Sequence, residues 1–246
     1  MNNYRLKIQY DGTRYHGWQR QKEGGDTIQG RIENVLSKIE GKPMEIHGAG
    51  RTDAGVHARC QVANVHLNRE WATEDIKQKL NEYLPEDIRI LEVERAGERF
   101  HSRLNATGKV YEYHLIKVDQ YDVFSRKYSW QMQQELDVEK MREAAQLLLG
   151  NHDFKGFCTK ASKKKSTIRR IDNIEIRETP KDIFLRFEGN GFLYNMVRIL
   201  AGTLVEIGAG VRAAESILEI LEKGERKLAG ETAPAQGLTL VKVKYD

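Results

Sequence analysis

Residues 108–118, with the sequence GKVYEYHLIKV, predict a β-strand in the middle of the chain, and the elements expected after it follow a recognisable order. They are a helix at 137–150 capped by Asp137, paired strands at 166–178 and 182–189 joined by a turn at Pro180, helices at 192–208 and 212–224, and a strand at 238–245. Apart from the second of the two adjacent helices, this is the β-α-β-β-α-β order.

The residues before position 108 predict the same order. YRLKIQY, residues 4–10, alternates as a strand does, and a helix is expected from an N-cap at Asp26 to Gly41. Strands at 44–48 and 57–67, a helix from about Thr73 to Pro85 and a strand at 88–96 complete the set. The two sets predict an α+β fold of two ferredoxin-like halves, residues 1–105 and 106–246, with a central antiparallel sheet and a cleft between the halves.

The composition is that of an ordinary soluble protein. Of 246 residues, 39% are hydrophobic and 31% are charged, and the formal net charge is only +4. Both ends of the sequence are polar and no apolar run approaches membrane-spanning length, so neither a signal peptide nor a membrane partner is expected. Cys60 and Cys158 form neither a disulfide framework nor a zinc pattern, which favours the cytoplasm.

The most basic stretch is KASKKKSTIRR, residues 160–170. Clusters of this kind commonly contact phosphate backbones. A solvated surface loop is the competing interpretation, and this stretch alone leaves both open.

A second stretch, HGAGRTDAGVHARC at residues 47–60, surrounds one carboxylate, Asp53, with glycines. A dinucleotide-binding loop is excluded because Asp occupies the place of its third glycine, and a P-loop is excluded because no Gly-Lys-Ser/Thr follows. A zinc site lacks further ligands beyond His57 and Cys60. Glycosidase chemistry needs a second carboxylate, and Glu45 lies on a strand of its own.

An ordinary hairpin turn fits the Asp–Gly content of this stretch. Arg51, two residues before Asp53, favours a different interpretation, in which a guanidinium holds the acid ionised. Composition and spacing do not decide between a plain turn and a site.

Six motifs in sequence order resemble those of the tRNA pseudouridine synthase A family. They are YDGTRYHGWQRQ, GAGRTDAGVHA, RFHSRLNATGKVYEYHL, NHDFKGFC, FLYNMVRILAGTLVEIG and APAQGLTLVKVKY. The resemblance runs from about residue 4 to the end of the sequence and favours a site over a plain turn. It implies an enzyme that isomerises uridine to pseudouridine at positions 38 to 40 of tRNA, as a homodimer with two ferredoxin-like halves and without metal or cofactor.

The resemblance also implies roles for individual residues. Asp53 matches the catalytic aspartate, and Arg198 matches an arginine that pairs with it. Tyr111 matches a tyrosine that packs on the target uracil. Tyr113, on the same strand, is instead expected to lie in the core. Leu238 matches a leucine across the pocket. Arg51 is expected to brace the turn or to meet the substrate backbone.

Seven further basic residues are expected to bind tRNA phosphates. They are Lys163, Lys164, Lys165, Arg169 and Arg170, together with Arg14 and Arg20. Glu112 departs from the family, which often has a basic residue there, and predicts a local loss of RNA affinity. Two rival functions are a non-catalytic tRNA-binding protein of the same architecture and a metal-dependent nuclease, which needs clustered carboxylates.

Overall fold

The computed structural model describes residues 2–21, 24–160 and 166–245. It divides into two compact units, Met1–Thr107 with Thr239–Asp246, and Gly108–Leu238. The sequence assigns everything after residue 105 to one half, whereas the structure places Thr239 and the residues after it in the first unit. The reason is a pairing between residues far apart in sequence, because Thr239 and Leu240 lie beside His57 and Ala58 in a parallel ladder.

The first unit contains the expected β-α-β-β-α-β order. Its elements are β1 (Asn2–Tyr10), α1 (Ile28–Glu40), β2 (His47–Gly48), β3 (His57–Leu67), α2 (Thr73–Tyr83) and β4 (Ile88–Arg95). Strand β1 lies between β4 and β3, antiparallel to both, and β2 pairs antiparallel with β3. One face of β1, formed by Tyr4, Leu6, Ile8 and Tyr10, is buried with the apolar stripes of α1 and α2, so these elements form the core of the unit.

Two local predictions in the first unit are wrong. Helix α1 is capped by Thr27, whose hydroxyl accepts a hydrogen bond from the Gly30 N–H, while the predicted cap, Asp26, pairs with Arg31. The strand expected at 44–48 shortens to two residues. The N–H of Ile46, just before β2, donates to the Glu33 carboxylate of α1. Because this N–H is bonded to a helix side chain, it does not pair with a neighbouring strand.

The second unit contains β5 (Gly108–Ile116), β6 (Trp130–Gln131), α3 (Val138–Gln146), β7 (Gly150–Asp153), β8 (Ile168–Glu178), β9 (Asp182–Gly189), α4 (Met196–Gly208) and α5 (Ser216–Lys223). The last strand, β10 (Leu238–Lys244), starts at the final residue of this unit. Strands β5, β9, β8 and β7 pair antiparallel in that order. Both units combine helices with antiparallel pairing, which confirms the α+β class.

Helix starts in the second unit follow local chemistry. The predicted cap Asp137 is confirmed, because its side chain accepts a hydrogen bond from the Lys140 N–H. Helix α4 starts at Met196, later than the predicted residue 192, because Asn195 has a left-handed φ of 60° that a right-handed helix does not include. No helix in the described part of the chain has the length and apolar character needed to cross a membrane.

Candidate functional site

The Asp53 side chain lies on a tight turn between β2 and β3. The Val56 N–H donates to the Asp53 carbonyl at 3.2 Å, which closes a four-residue turn. Gly55 is the third residue of this turn and has a φ of 79°, the positive value that a type II turn needs there. The hairpin interpretation is therefore correct for the backbone, and the Asp53 side chain on this turn is half-buried.

The N-terminal motif packs directly against this turn. The Trp18 N–H donates to the Thr52 carbonyl at 3.1 Å, and the Trp18 ring is buried. Gly17 approaches so closely that a Cβ atom there would lie 2.7 Å from the Thr52 carbonyl oxygen. The backbone next to Asp53 is thus fixed by a second segment of chain.

A buried hydrogen bond lies next to Asp53. The Tyr10 hydroxyl, at the end of β1, is 2.8 Å from the Thr52 hydroxyl, and both side chains are buried. Burial raises the pKa of Tyr10, and its hydrogen bonds with Thr52 and Gln61 offset part of that rise. Gln61 also donates to the Gly50 carbonyl at 3.0 Å. Tyr10 and Gln61 therefore connect the sheet to the residues on either side of Arg51, just before Asp53.

His57 ties the same region to the start of the N-terminal motif. Its Nδ1 atom accepts the Gly12 N–H at 3.1 Å and lies 3.1 Å from the Asp11 carboxylate. In the described parts of the chain, no three His, Cys, Asp or Glu side chains cluster closely enough to hold a metal ion. The structure thus gives His57 a local hydrogen-bonding role.

Arg51 is exposed, and its Nε donates to the Gln19 side chain at 3.1 Å. Gln19 belongs to the N-terminal motif, so Arg51 links that motif to the segment that carries Asp53 through a side-chain bond. Whether Arg51 braces the turn or meets the substrate backbone stays a prediction.

In the second unit, Tyr111 lies on β5 with only 7% of its surface exposed. Its ring meets the Phe192 ring edge-on, with the centroids 5.4 Å apart. Tyr113 is fully buried on the same strand, and its hydroxyl donates to the Pro234 carbonyl at 2.7 Å. Burial raises the pKa of Tyr113, although the nearby Arg198 charge opposes the rise. Tyr113 is therefore a core residue, as the sequence predicts.

Arg198 is not a solvated helix charge. It lies half-buried on α4, its Nε donates to the Ala233 carbonyl at 2.7 Å, and one terminal nitrogen donates to the Asn195 side chain at 3.1 Å. The Ala233 N–H in turn donates to the Arg198 carbonyl. These bonds fix the segment that leads to Leu238, which is 5% exposed.

Several expected RNA-binding cations already have protein partners. Arg14 pairs with Asp87, Arg20 with Glu33 and Arg170 with Asp172. Arg169 donates to the Ser166 and Ile168 carbonyls, and burial lowers its pKa. Lys163, Lys164 and Lys165 lie outside the described residues. Glu112, the acid that departs from the family pattern, lies opposite Arg186 on the neighbouring strand. Its carboxylate is 3.7 Å from the Arg186 guanidinium, so the two form a cross-strand ion pair.

The structure brings together residues that the sequence did not connect. In the first unit Tyr10 and Trp18 bond to Thr52, and Gln61 bonds to Gly50, so all three contact the segment just before Asp53. None of the three has a role predicted from the sequence. Tyr10 and Trp18 both lie in the N-terminal motif, and the alternation of β1 also places Tyr10 on the buried face, where a hydroxyl needs a partner. Gln61 carries no such signal. In the second unit Arg198 bonds to Ala233, at the start of the segment that leads to Leu238.

Comparison with known proteins gives a consistent result. A family model described as tRNA pseudouridine synthase matches residues 7–105 and 144–246. The chain is 49% identical to tRNA pseudouridine synthase A of Bacillus sp. (strain KSM-64) over 245 residues, covering 100% of both chains. It is 46% identical to tRNA pseudouridine synthase A 2 of Bacillus anthracis and 41% identical to that of Clostridium perfringens (strain 13 / Type A), again with 100% coverage of both.

One solved structure, an archaeal box H/ACA sRNP Nop10–Cbf5 complex, aligns with a TM-score of 0.37 and 15% identity. The alignment covers 82% of this chain and 43% of that one, so this chain spans less than half the length of that structure.

Proposed function

The chain belongs to the tRNA pseudouridine synthase family, and we propose on this premise that it converts uridine to pseudouridine at positions 38 to 40 of the tRNA anticodon arm. The observation that carries the proposal is 49% identity over the full length of a tRNA pseudouridine synthase A. The catalytic interpretation is thereby favoured over a tRNA-binding protein without activity.

The reaction is an internal rearrangement of one nucleoside. The bond between ribose C1′ and uracil N1 breaks, the base turns, C1′ bonds to C5, and the proton on C5 is released while N1 gains one. No electrons are gained or lost overall, so one carboxylate is sufficient. We assign that carboxylate to Asp53, which acts by attack on C1′, by attack on uracil C6 or by removal of the C2′ proton.

The remaining assignments follow the resemblance to the family and meet the needs of this chemistry. A paired uridine must leave its stack to reach a carboxylate, and an aromatic ring compensates for the lost stacking. Tyr111 is assigned this role, and its perpendicular packing against the Phe192 ring supports the assignment by limiting how the Tyr111 ring can move. Leu238 is assigned to the opposite wall of the pocket, and Arg198 to the ion pair that keeps Asp53 charged.

The proposed setting is a cytoplasmic homodimer acting on tRNA without metal or cofactor. Sedimentation velocity tests the homodimer. The reaction itself is tested by incubating the protein with tRNA tritiated at uracil C5, with a chelator and no cofactor, and measuring tritium release. Release supports the proposed enzyme. Tight binding without release contradicts it, and release that requires a divalent metal contradicts the metal-free reaction.

Arg198→Lys is expected to lower kcat/KM by roughly tenfold or more, because lysine keeps the charge but loses the planar fork that donates to Ala233 and Asn195. Steady-state tritium release measures the effect. Arg212→Lys is the matched control, since Arg212 also donates to one backbone carbonyl and to one side-chain oxygen in the second unit, the latter a carboxylate oxygen of Glu206. Equal losses in both variants would show a general effect of arginine removal.

Tyr10→Phe is expected to lower kcat about tenfold with little change in KM, because the Thr52 hydroxyl next to Asp53 loses its partner and catalysis is sensitive to small displacements. Tyr4→Phe is the control. Tyr4 lies on the same buried face of β1, and its hydroxyl bonds to the Trp71 backbone. Each variant should cost about 1 kcal/mol of unfolding free energy. The interpretation fails if kcat falls equally in the two.

A further inference from the structure

A groove in the first unit is lined by cations, and one of them, Arg20, directly follows Gln19, whose side chain bonds to Arg51. Its volume is about 640 Å³, and the basic residues lining it are Arg20, Arg31, Lys38 and Lys42. The wall also includes Tyr83, near the end of α2, with 63% of its surface exposed. The proposed function gives none of Arg31, Lys38, Lys42 or Tyr83 a role.

The lysines carry the uncompensated charge of this groove. Arg20 lies 3.0 Å from the carboxylate of Glu33, which is only 1% exposed, and Arg31 is paired with Asp26. Neither Lys38 nor Lys42 has a carboxylate partner among the residues that the structure describes. Lys38 lies in the last turn of α1, where the helix dipole contributes about half a negative charge, less than the two ammonium groups together.

A chain of contacts connects the groove to the catalytic turn within the same unit. Arg51 bonds to Gln19, the next residue is Arg20, and the Arg20 guanidinium is held at the rim of the groove by Glu33. The Arg20 N–H also donates to the Gln29 side chain on α1. Cationic side chains therefore continue from the turn that carries Asp53 to Lys38 and Lys42.

We propose that this groove binds the phosphodiester backbone of the tRNA substrate, with Lys38 and Lys42 contacting phosphates and Tyr83 offering a face on which a base stacks. The inference rests on the proposed function, because a polyanionic substrate is the occupant that the charge of the groove complements. Exposed aromatic rings beside cations are the combination that binds single-stranded segments of nucleic acid.

The test compares Lys38→Ala/Lys42→Ala with a control that loses the same charge, Lys223→Ala/Lys227→Ala. The control lysines pair with Glu219 and Glu225 on the second unit. Binding to unmodified tRNA is measured over a series of salt concentrations, with both double variants made in the Asp53→Asn background so that no substrate turns over. Thermal unfolding confirms that each variant is folded.

The groove variant is expected to bind several-fold more weakly at low salt, and its slope of log Kd against log salt should fall by nearly 2, because each lost phosphate contact removes about 0.9. Tyr83→Ala should weaken binding about fivefold or more. The control should retain the parent slope and affinity.

Two results overturn the inference. An unchanged slope in the groove variant would show that the groove faces something other than tRNA, and an equal fall in both double variants would show an effect of net charge alone. Failure of the unaltered protein to release tritium from tRNA would instead overturn the proposed function, so the two failures are distinguishable.

Discussion

Asp53→Asn is expected to abolish pseudouridine formation, by at least about a thousandfold in kcat, while the protein stays folded. Asparagine has nearly the same shape but is neither a nucleophile nor a base at neutral pH. The turn itself depends on the Val56 N–H, the Asp53 carbonyl and the positive φ of Gly55, all of which the substitution keeps. The free energy of unfolding should therefore change by no more than about 1 kcal/mol.

Tritium release from labelled tRNA measures the activity of this variant, and thermal unfolding measures its stability. Glu45→Gln is the control, because Glu45 is an exposed acid shortly before β2, close to Asp53 in sequence, and its removal should leave activity near that of the parent. Ample product from Asp53→Asn would remove Asp53 from the chemistry. An equal loss of activity in Asp53→Asn and Glu45→Gln would indicate that activity depends on the negative charge of the region and not on one particular carboxylate.

Gly17→Ala is expected to impair both stability and activity. A side chain at a φ of 87° costs roughly 1 kcal/mol, and the added Cβ would lie 2.7 Å from the Thr52 carbonyl oxygen and 3.1 Å from the Asp53 carbonyl carbon. Relief of that overlap moves the turn and loosens the bond from the Trp18 N–H to Thr52. The free energy of unfolding should fall by about 2–4 kcal/mol and kcat/KM by about a hundredfold.

Gly210→Ala separates the effect of backbone strain from the effect of the overlap between the added Cβ and the turn. Gly210 has a similar φ of 72°, but an added Cβ would meet nothing within 4 Å. This variant should lose only the backbone strain, about 1 kcal/mol, and keep its activity. If Gly17→Ala behaves in the same way as Gly210→Ala, the close approach of the N-terminal motif to the turn does not position Asp53.

Local patterns in the sequence predicted most of the fold, and two of the errors arose where distant residues decide. The element order of the first unit and the Asp137 cap depend on periodicity and on neighbouring residues, so they could be predicted. The shortened β2 depends on the Glu33 carboxylate, and the place of β10 depends on its pairing with His57 and Ala58. Neither partner is visible in the local sequence.

The candidate site was predictable to a smaller extent. The motif around Asp53 is visible in sequence, and the family it indicated is confirmed, while the roles of individual residues stay predictions. The partners of these side chains could not be predicted, because the bonds of Arg51 to Gln19 and of Arg198 to Ala233 exist only once separate segments have packed.

The place of β10 has a consequence for biosynthesis. The strand that runs beside His57 follows all of the second unit in sequence, and two further bonds tie its end to the first unit, from the Thr107 N–H to the Lys244 carbonyl and from the Tyr245 hydroxyl to the Ser102 carbonyl. A ribosome must therefore translate the entire second unit before the N-terminal sheet can acquire its final strand. Until then, one edge of β3 in the nascent N-terminal unit is only partly paired. If translation stalls before residue 239, that edge stays exposed and can pair with strands of other chains.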